Sequence, residues 1–185
     1  LSEMLEDHTL WVATAGTKGY RLDLSGYDLR DVIDLRQFPL TGILAARATF
    51  LHQNMEQAEM QSGLFDEADF RDCNLREADL RGSSFKGAKF TRANLSGAQL
   101  CPLEFKDDPQ VGSRIKRVDL SGANLRYAAL AGADLRDCIL MGADLSHANL
   151  QGADLRRADF TGAVMTGANL VGARLDDAVM DARAV

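Results

Sequence analysis

Large apolar residues recur at every fifth position through most of the chain. A first run extends from Phe50 to Phe105 and a second from Leu120 to Met180, giving twenty-five units of five residues. A period of five matches neither the 3.6-residue repeat of a helix nor the two-residue repeat of a strand. A fixed period sustained over this length predicts a repeat architecture in which stacked units bury a continuous core.

Most units also carry a small residue two positions before the large one, as Ala133 precedes Leu135. Residues two apart in an extended segment point to the same side, so each unit offers one bulky and one small group to the interior. The other three positions are polar or glycine and face water. Glycines such as Gly132 suit the corner that ends each unit.

Matches at a spacing of twenty residues predict four sides to each coil. Side chains twenty apart then lie above one another, in two inner aromatic columns and one outer amide ladder. The columns are Phe50, Phe70 and Phe90, and Phe65, Phe85 and Phe105, and the ladder is Asn54, Asn74 and Asn94.

The repeated unit A(D/N)LXX, as in residues 143–147 and 153–157, resembles the pentapeptide-repeat proteins over residues 20–183. The resemblance implies an all-β solenoid, namely a right-handed quadrilateral parallel β-helix. Its handedness comes from the resemblance and not from the spacing. Because one fold can carry unrelated functions, the resemblance is far more specific for fold than for function.

Residues 1–19 predict a short N-terminal capping helix and the segment that leads into the repeat. Apolar residues recur there at helical spacing, and Ser2 is placed to cap the helix. An uncapped solenoid exposes apolar side chains and unpaired strand edges at its end. We therefore expect Trp11, the single tryptophan, to cover the open end.

The remaining chain divides into a first β-helix block at 20–105, a loop excursion at 106–117 and a second block at 118–185, all within one continuous domain. Leu29 and Leu35 are six apart rather than five, which predicts a bulge or a distorted corner in the first coil.

Continuing the repeat through the 106–117 stretch would bury Asp108 and Gln110, and burying an unpaired carboxylate is strongly unfavourable. The segment is therefore expected to leave the coil as a loop or hairpin, with bends at Pro109 and Gly112.

Composition narrows the class of protein. The 185 residues are 46% hydrophobic and carry a formal net charge of −6, as expected for a globular chain. There is neither a transmembrane-length apolar run nor a signal-peptide pattern, so we expect no membrane association. Three cysteines without metal-binding spacing favour a reducing cytoplasm. The chain begins with Leu1, which is compatible with a module of a larger bacterial protein.

The sequence gives little support for a catalytic function. The three histidines stand in different parts of the chain, and no nucleophile, zinc-protease or phosphate-loop motif is present. No catalytic, cofactor-binding or metal-binding residue is expected. Cys73 and Cys138 fall on inward positions and are expected to pack as small apolar groups, whereas Cys101 is expected to be more exposed.

The leading interpretation is a non-catalytic scaffold that binds an unidentified protein partner. The 106–117 loop and an apolar pair on the outside of the second block are the candidate contacts, because loops on rigid scaffolds often carry function. The last coil lacks an obvious cap, which favours a homodimer through it. The candidate contacts are Arg114, Lys116, Arg117, Ile139 and Met141, and the candidate self-association residues are Val179, Met180 and Val185.

The alternative is a DNA-mimicking inhibitor of DNA gyrase, because the family resembled includes quinolone-resistance members of that kind. A rod of about thirty walls, four to a coil, would be roughly 36 Å long. DNA of that length carries roughly twenty negative charges, against the net −6 of this chain. No direct nucleic-acid binding is expected.

Overall fold

The chain forms a right-handed, four-sided β-helix in a computed structural model that describes residues 1–30, 34–108 and 112–181. Parallel bridges join residues twenty apart on successive coils, for example Asn54 to Asn74 and Asn74 to Asn94. The four-sided architecture predicted from the spacing of twenty is confirmed.

The period of five arises from a turn at every corner. The N–H of Gln53 donates to the carbonyl of Phe50 at 2.9 Å, and His52, the third residue of this turn, has φ of 64°. A positive φ at the third position alone is the mark of a type II turn. One short wall and one such turn use five residues, so the corners recur at that interval.

Aromatic rings fill the first block in two parallel columns. Phe70 stacks between Phe50 at 4.7 Å and Phe90 at 5.1 Å, and Phe65 stacks on Phe85 at 5.1 Å. Rings of the two columns also meet edge to face, an arrangement that aromatic pairs favour.

The outer amide ladder is present as well. Asn74 Nδ2 donates to Asn54 Oδ1 at 3.0 Å, and Asn94 Nδ2 approaches Asn74 Oδ1 at 3.5 Å.

The four faces are numbered here in chain order. The central inward residues are, on face 1, Phe65, Phe85, Leu120, Leu140, Phe160 and Met180; on face 2, Phe50, Phe70, Phe90, Leu125, Leu145 and Met165; on face 3, Met55, Leu75, Leu95, Leu130, Leu150 and Leu170; and on face 4, Met60, Leu80, Leu100, Leu135, Leu155 and Leu175.

The N-terminal end is closed by helix α1, Ser2–Ala13. Leu5 and His8 are its fully buried residues and belong to the plug over the first coil, whereas Trp11 is half-buried and lies against the corner at Gly42. The predicted capping helix is confirmed, and Trp11, which was expected to cover the open end, lies over the corner at Gly42. Ser2 makes no side-chain capping hydrogen bond, since it is the first residue of the helix and not its N-cap.

The first coil accommodates one extra residue. Asp23 pairs with Leu44, a separation of 21. The insertion falls between Leu29 and the short 3-10 helix Leu35–Gln37, a stretch that includes the undescribed residues 31–33.

Between Leu100 and Leu120 the chain leaves the coil as an antiparallel hairpin. Strand β1 is Leu103–Asp108 and strand β2 is Gly112–Lys116. Pro109, expected at a bend, lies outside the described residues.

The hairpin corrects the predicted position of Phe105, which is half exposed on β1 and does not stack on Phe85. Ser84 instead pairs with Asp119, 35 residues on, which places Leu120 above Phe85.

Candidate interaction surface

The hairpin stands on the corner between faces 4 and 1. A Cβ added to Gly82 would lie 2.8 Å from the Cβ of Leu103, so the hairpin base packs directly on this glycine. Lys116 Nζ donates to the carbonyl of Ser62, one coil further down, at 3.3 Å. The projecting element is thus rooted on two coils of the rigid column.

The two sides of the hairpin carry different side chains. Phe105 lies opposite Arg114, and Glu104 lies opposite Ile115. Directly opposed residues of an antiparallel pair point to the same side. One side therefore presents an aromatic ring beside a guanidinium, and the other a carboxylate beside an aliphatic group. Phe105 is 47% exposed and Ile115 is 64% exposed.

The three basic residues proposed from the loop do not form one patch. Arg114 is exposed. Lys116 is half-buried against Ser62, and burial lowers the pKa of its ammonium group. Arg117 donates through Nε to the carbonyl of Asp137 on the next coil. Two of the three cations are thus committed to holding the hairpin in place.

A cleft of about 590 Å³ separates the hairpin from the coil that follows it. Arg157 and Asp137 form its floor through a paired contact, with Nε to Oδ1 at 2.8 Å and Nη2 to Oδ2 at 2.7 Å. The hydrogen bond from Arg157 lowers the pKa of the Asp137 carboxyl. The walls include Glu104, Ile115 and Arg117, so the cleft combines both signs of charge with an apolar side.

The other proposed contact pair lies on face 1. Ile139 and Met141 flank the inward Leu140, with Ile139 half-buried and Met141 exposed. Ile139 follows Asp137, a residue of the cleft floor, by two positions. The pair therefore adjoins the corner on which the hairpin stands.

The last coil presents apolar groups at its end. Val179 is exposed and Met180 is half-buried, while Val185 lies outside the described residues. Leu170 and Leu175, inward residues of the same coil, are only partly buried, unlike their equivalents lower in the column.

Most arginines on the walls are neutralised by a neighbouring aspartate. In the unit around Leu135, Asp134 Oδ1 accepts from the N–H of Arg136 and its carboxylate pairs with the guanidinium at 2.6 Å. The same Asp-apolar-Arg triplet recurs at 28–30, 34–36, 69–71, 79–81 and 154–156.

Contacts between coils add to these pairs, such as the ion pair between Asp137 and Arg157.

Sequence reasoning missed Phe105 and Ile115 as exposed groups. Phe105 matches the five-residue period, which assigned it to the core, whereas Ile115 fits the period but was passed over as part of a basic stretch. The available signal was the charged Glu104 and Arg114 beside them, which together form an alternating strand pattern on both sides of the bend.

The thiols are buried. Burial raises the pKa of Cys73 to about 12 and also raises the pKa of Cys138. Cys101, expected to be exposed, is buried beside Asp134, and burial together with that negative charge raises its thiol pKa. A thiol with a raised pKa is a poor nucleophile, because the reactive species is the thiolate.

In the described part of the chain, no group of three or more His, Cys, Asp and Glu side chains is placed to hold a metal ion. Across the same residues, no helix has the length and apolar character needed to cross a bilayer.

Comparison with known families settles the affiliation. A family model described as pentapeptide repeats matches in eight copies, at residues 68–101, 112–142, 119–157 and 138–177. The chain belongs to the pentapeptide-repeat family. A search of curated protein sequences found no match.

Solved structures of pentapeptide-repeat proteins align with the chain, and the first of the two described here shows the same fold. QnrB1, described as a plasmid-mediated fluoroquinolone resistance protein, aligns in a trypsin-treated variant with a TM-score of 0.53 and 21% identity, over 85% of this chain and 70% of that chain. HetL, described as involved in heterocyst differentiation regulation in the cyanobacterium Nostoc sp. strain PCC 7120, is 26% identical over 95% of this chain and 97% of its own, with a TM-score of 0.36.

Proposed function

We propose that this pentapeptide-repeat chain is a non-catalytic cytoplasmic scaffold that binds a protein partner through the hairpin and the adjoining part of face 1. The observation that carries the proposal is a projecting hairpin with Phe105 and Ile115 exposed on its two sides, fixed at its base to the column. A solvent-exposed aromatic ring beside an arginine is typical of the residues that dominate protein interfaces.

The rigidity of the base supports this assignment. Gly82 leaves room for Leu103, and Lys116 reaches Ser62, so the hairpin does not have to be ordered when a partner binds. Preorganisation reduces the entropic cost of association. Met141 and Ile139 extend the apolar surface onto face 1 beside the same corner.

The test compares a double variant, Phe105→Ser with Ile115→Ser, with the wild-type chain as bait in quantitative pull-downs from a bacterial lysate. A matched control, Tyr27→Ser with Tyr127→Ser, removes two exposed aromatic rings elsewhere on the column. We expect one or more proteins to be retained by wild type and control but lost from the hairpin variant. Equal retention by all three baits would contradict the proposal.

Inhibition of DNA gyrase is the second candidate, favoured by the fold shared with a fluoroquinolone resistance protein over 85% of this chain. The paired arginines on the walls weigh against DNA mimicry, because they cancel the negative potential that mimicry needs. Gyrase supercoiling assays with purified protein, with and without a quinolone, decide between the two. Inhibition or quinolone protection at micromolar protein would place gyrase as the partner.

A homodimer through the last coil also remains part of the proposal. Val179 and Met180 are the described residues that would lie in that contact, and burying them would cover the exposed end of the column. Val179→Arg should then shift the sedimentation coefficient from dimer to monomer.

A further inference from the structure

Face 3 loses all of its charge halfway along the column. In the first block it carries Glu56, Arg76 and Glu77, which form an ion-paired cluster with distances of 3.0 and 2.5 Å. From Asn94 onward, four successive coils present twelve outward positions with no ionisable side chain. These are Asn94, Ser96, Gly97, Ala129, Ala131, Gly132, Asn149, Gln151, Gly152, Asn169, Val171 and Gly172.

The neighbouring face 4 provides the contrast. Over the same four coils its twelve outward positions hold nine aspartates and arginines. The fold does not require this loss of charge, because the outward positions of the repeat accept Asp and Arg on every coil. Charged residues make up 26% of the chain. Depletion of charged residues is a feature of interface cores.

The corner beside this face is bare backbone. A Cβ added to Gly132 or to Gly152 would meet nothing within 4 Å, whereas one added to Gly97 would lie 3.3 Å from Cγ of Glu77, so the edge between faces 3 and 4 is free of side chains above the first of the four coils. The opposite edge carries the stacked rings of Tyr127 and His147, 4.9 Å apart, with Tyr127 half exposed. The surface is therefore flat, open on one side and edged by an aromatic pair on the other.

The amides of this face suit a surface identical to itself. Asn169 donates to Asn149 Oδ1 at 3.2 Å, and Asn149 Nδ2 and the exposed side chain of Gln151 have no partner among the described residues. A carboxylate or a guanidinium cannot pair with its own copy, whereas an amide carries both a donor and an acceptor and can. Two copies can also approach through an uncharged face without repulsion between like charges.

We propose that the uncharged half of face 3 is a lateral self-association surface, occupied by the same face of a second copy. This interaction is independent of the partner-binding hairpin, which stands on the corner between faces 4 and 1. It also differs from a contact through the last coil, because the columns lie side by side rather than end to end.

The area of the face determines how strong the self-association is expected to be. Four coils at about 4.8 Å and three residues of wall at about 3.3 Å enclose about 200 Å². Stable interfaces bury about 800 Å² on each partner. The dimer is therefore weak and depends on protein concentration. Because its centre is uncharged, the association is insensitive to salt, unlike contact through the charged faces.

Gln151 allows a test by charge swapping. Gln151→Arg and Gln151→Glu each place like charges against each other in a symmetric pair, so either variant alone should raise the dissociation constant about tenfold or more. An equimolar mixture of the two should restore association. The matched controls are Met141→Arg and Met141→Glu, at the equivalent position of the same coil on face 1.

Sedimentation equilibrium of the purified chain, up to about 1 mM protein, gives the measurement. Support requires wild-type association that persists in high salt, weakening by both Gln151 variants, recovery in their mixture, and no effect of the Met141 variants. A wild-type chain that stays monomeric, equal effects at the two positions, or failure of the mixture to recover would each overturn the proposal. Thermal unfolding of every variant shows that the column is intact.

The outcome is separable from that of the proposed function, because no partner protein is present in the sedimentation experiment. Val179→Arg serves as a further arm. If it abolishes association while the Gln151 variants do not weaken it, the contact is at the last coil and the lateral proposal is wrong.

Discussion

At the scale of single residues, inward side chains and wall charges contribute unequally to stability. Phe70 is completely buried and contacts rings above, below and beside it. The Asp137 to Arg157 pair is partly exposed, with side-chain exposures of 28% and 53%, so solvent screens it. The column is therefore held mainly by its packed interior and hydrogen-bonded backbone.

Two truncations test this ranking. Phe70→Ala should lower the free energy of unfolding by about 3–5 kcal/mol, because it removes buried surface and leaves a cavity. Arg157→Ala should lower it by less than about 1 kcal/mol. Urea unfolding followed by circular dichroism provides both values. A larger loss from Arg157→Ala than from Phe70→Ala would contradict the ranking.

Gly132 tests the corner geometry. Its φ is 66°, and an added Cβ would meet no neighbouring atom, so a substitution there reports backbone strain alone. Gly132→Ala should cost about 1 kcal/mol, and Gly132→Asn less, because asparagine tolerates a positive φ better. Urea midpoints of the two variants give the order. Equal losses from Ala and Asn would show that the positive φ is not the cause.

At the scale of elements, α1 depends on a buried histidine. His8 is fully buried, its Nδ1 accepts the N–H of Leu22 at 3.1 Å, and its ring stacks on Trp11. Burial, with a smaller effect of the charge of Arg21, lowers the pKa of the imidazole. Protonation of Nδ1 would remove its acceptor and place a charge inside the cap.

Docking of α1 should therefore weaken as the pH falls below about 6.5, the pKa of an exposed histidine. The depressed folded-state pKa means that stability is complete above that value and declines beneath it until the buried group is itself protonated. Fluorescence of Trp11, the single tryptophan, measures the change. His8→Asn keeps a hydrogen-bond acceptor and removes the titration, so its signal should be flat in this range.

The carboxylates act in a separate range. Pairing with Arg156 and Arg157 lowers the pKa values of Asp154 and Asp137 below 3.8. Their contribution is present above about 3.8 and is lost at lower pH. A wild-type transition only below about 4, with the same profile in His8→Asn, would refute the role assigned to His8.

At the scale of the whole molecule, the hairpin is an insertion of fifteen residues into one coil, since paired residues there are 35 apart instead of 20. Removing residues 103–117 joins Pro102 to Val118 and restores the spacing of five between Leu100 and Leu120. Pro102 must then become glycine, because it would occupy the corner position of positive φ that proline cannot adopt.

The shortened chain with Pro102→Gly should fold into an uninterrupted column and retain cooperative unfolding. A deletion of fourteen residues over the same region should not, because the whole second block would be displaced by one position relative to the first. Circular dichroism and thermal unfolding compare the two. Equal stability of the two deletions would contradict the placement of Leu120 above Phe85.

Much of the column could be predicted from the sequence because the five-residue units repeat one pattern of inward, outward and corner positions. The spacing of Phe50, Phe70 and Phe90 identified the four sides, and the lapse after Phe105 identified the excursion, which in the structure begins earlier, with β1 at Leu103. The surface was harder to predict from the sequence. Residue order alone places neither Phe105 outside the core nor Lys116 against Ser62, since both depend on where the hairpin folds back.

The sequence by itself determined the period, the inward residues and the number of sides. Each wall and its turn occupy five residues, and their conformation follows from local steric and packing preferences. The tertiary structure decided how the two blocks stack. An insertion of fifteen residues keeps the period of five but breaks the period of twenty, so spacing alone would place Leu120 above Leu100. Backbone pairing across coils places it above Phe85, and only that pairing reveals which outward residues share a face.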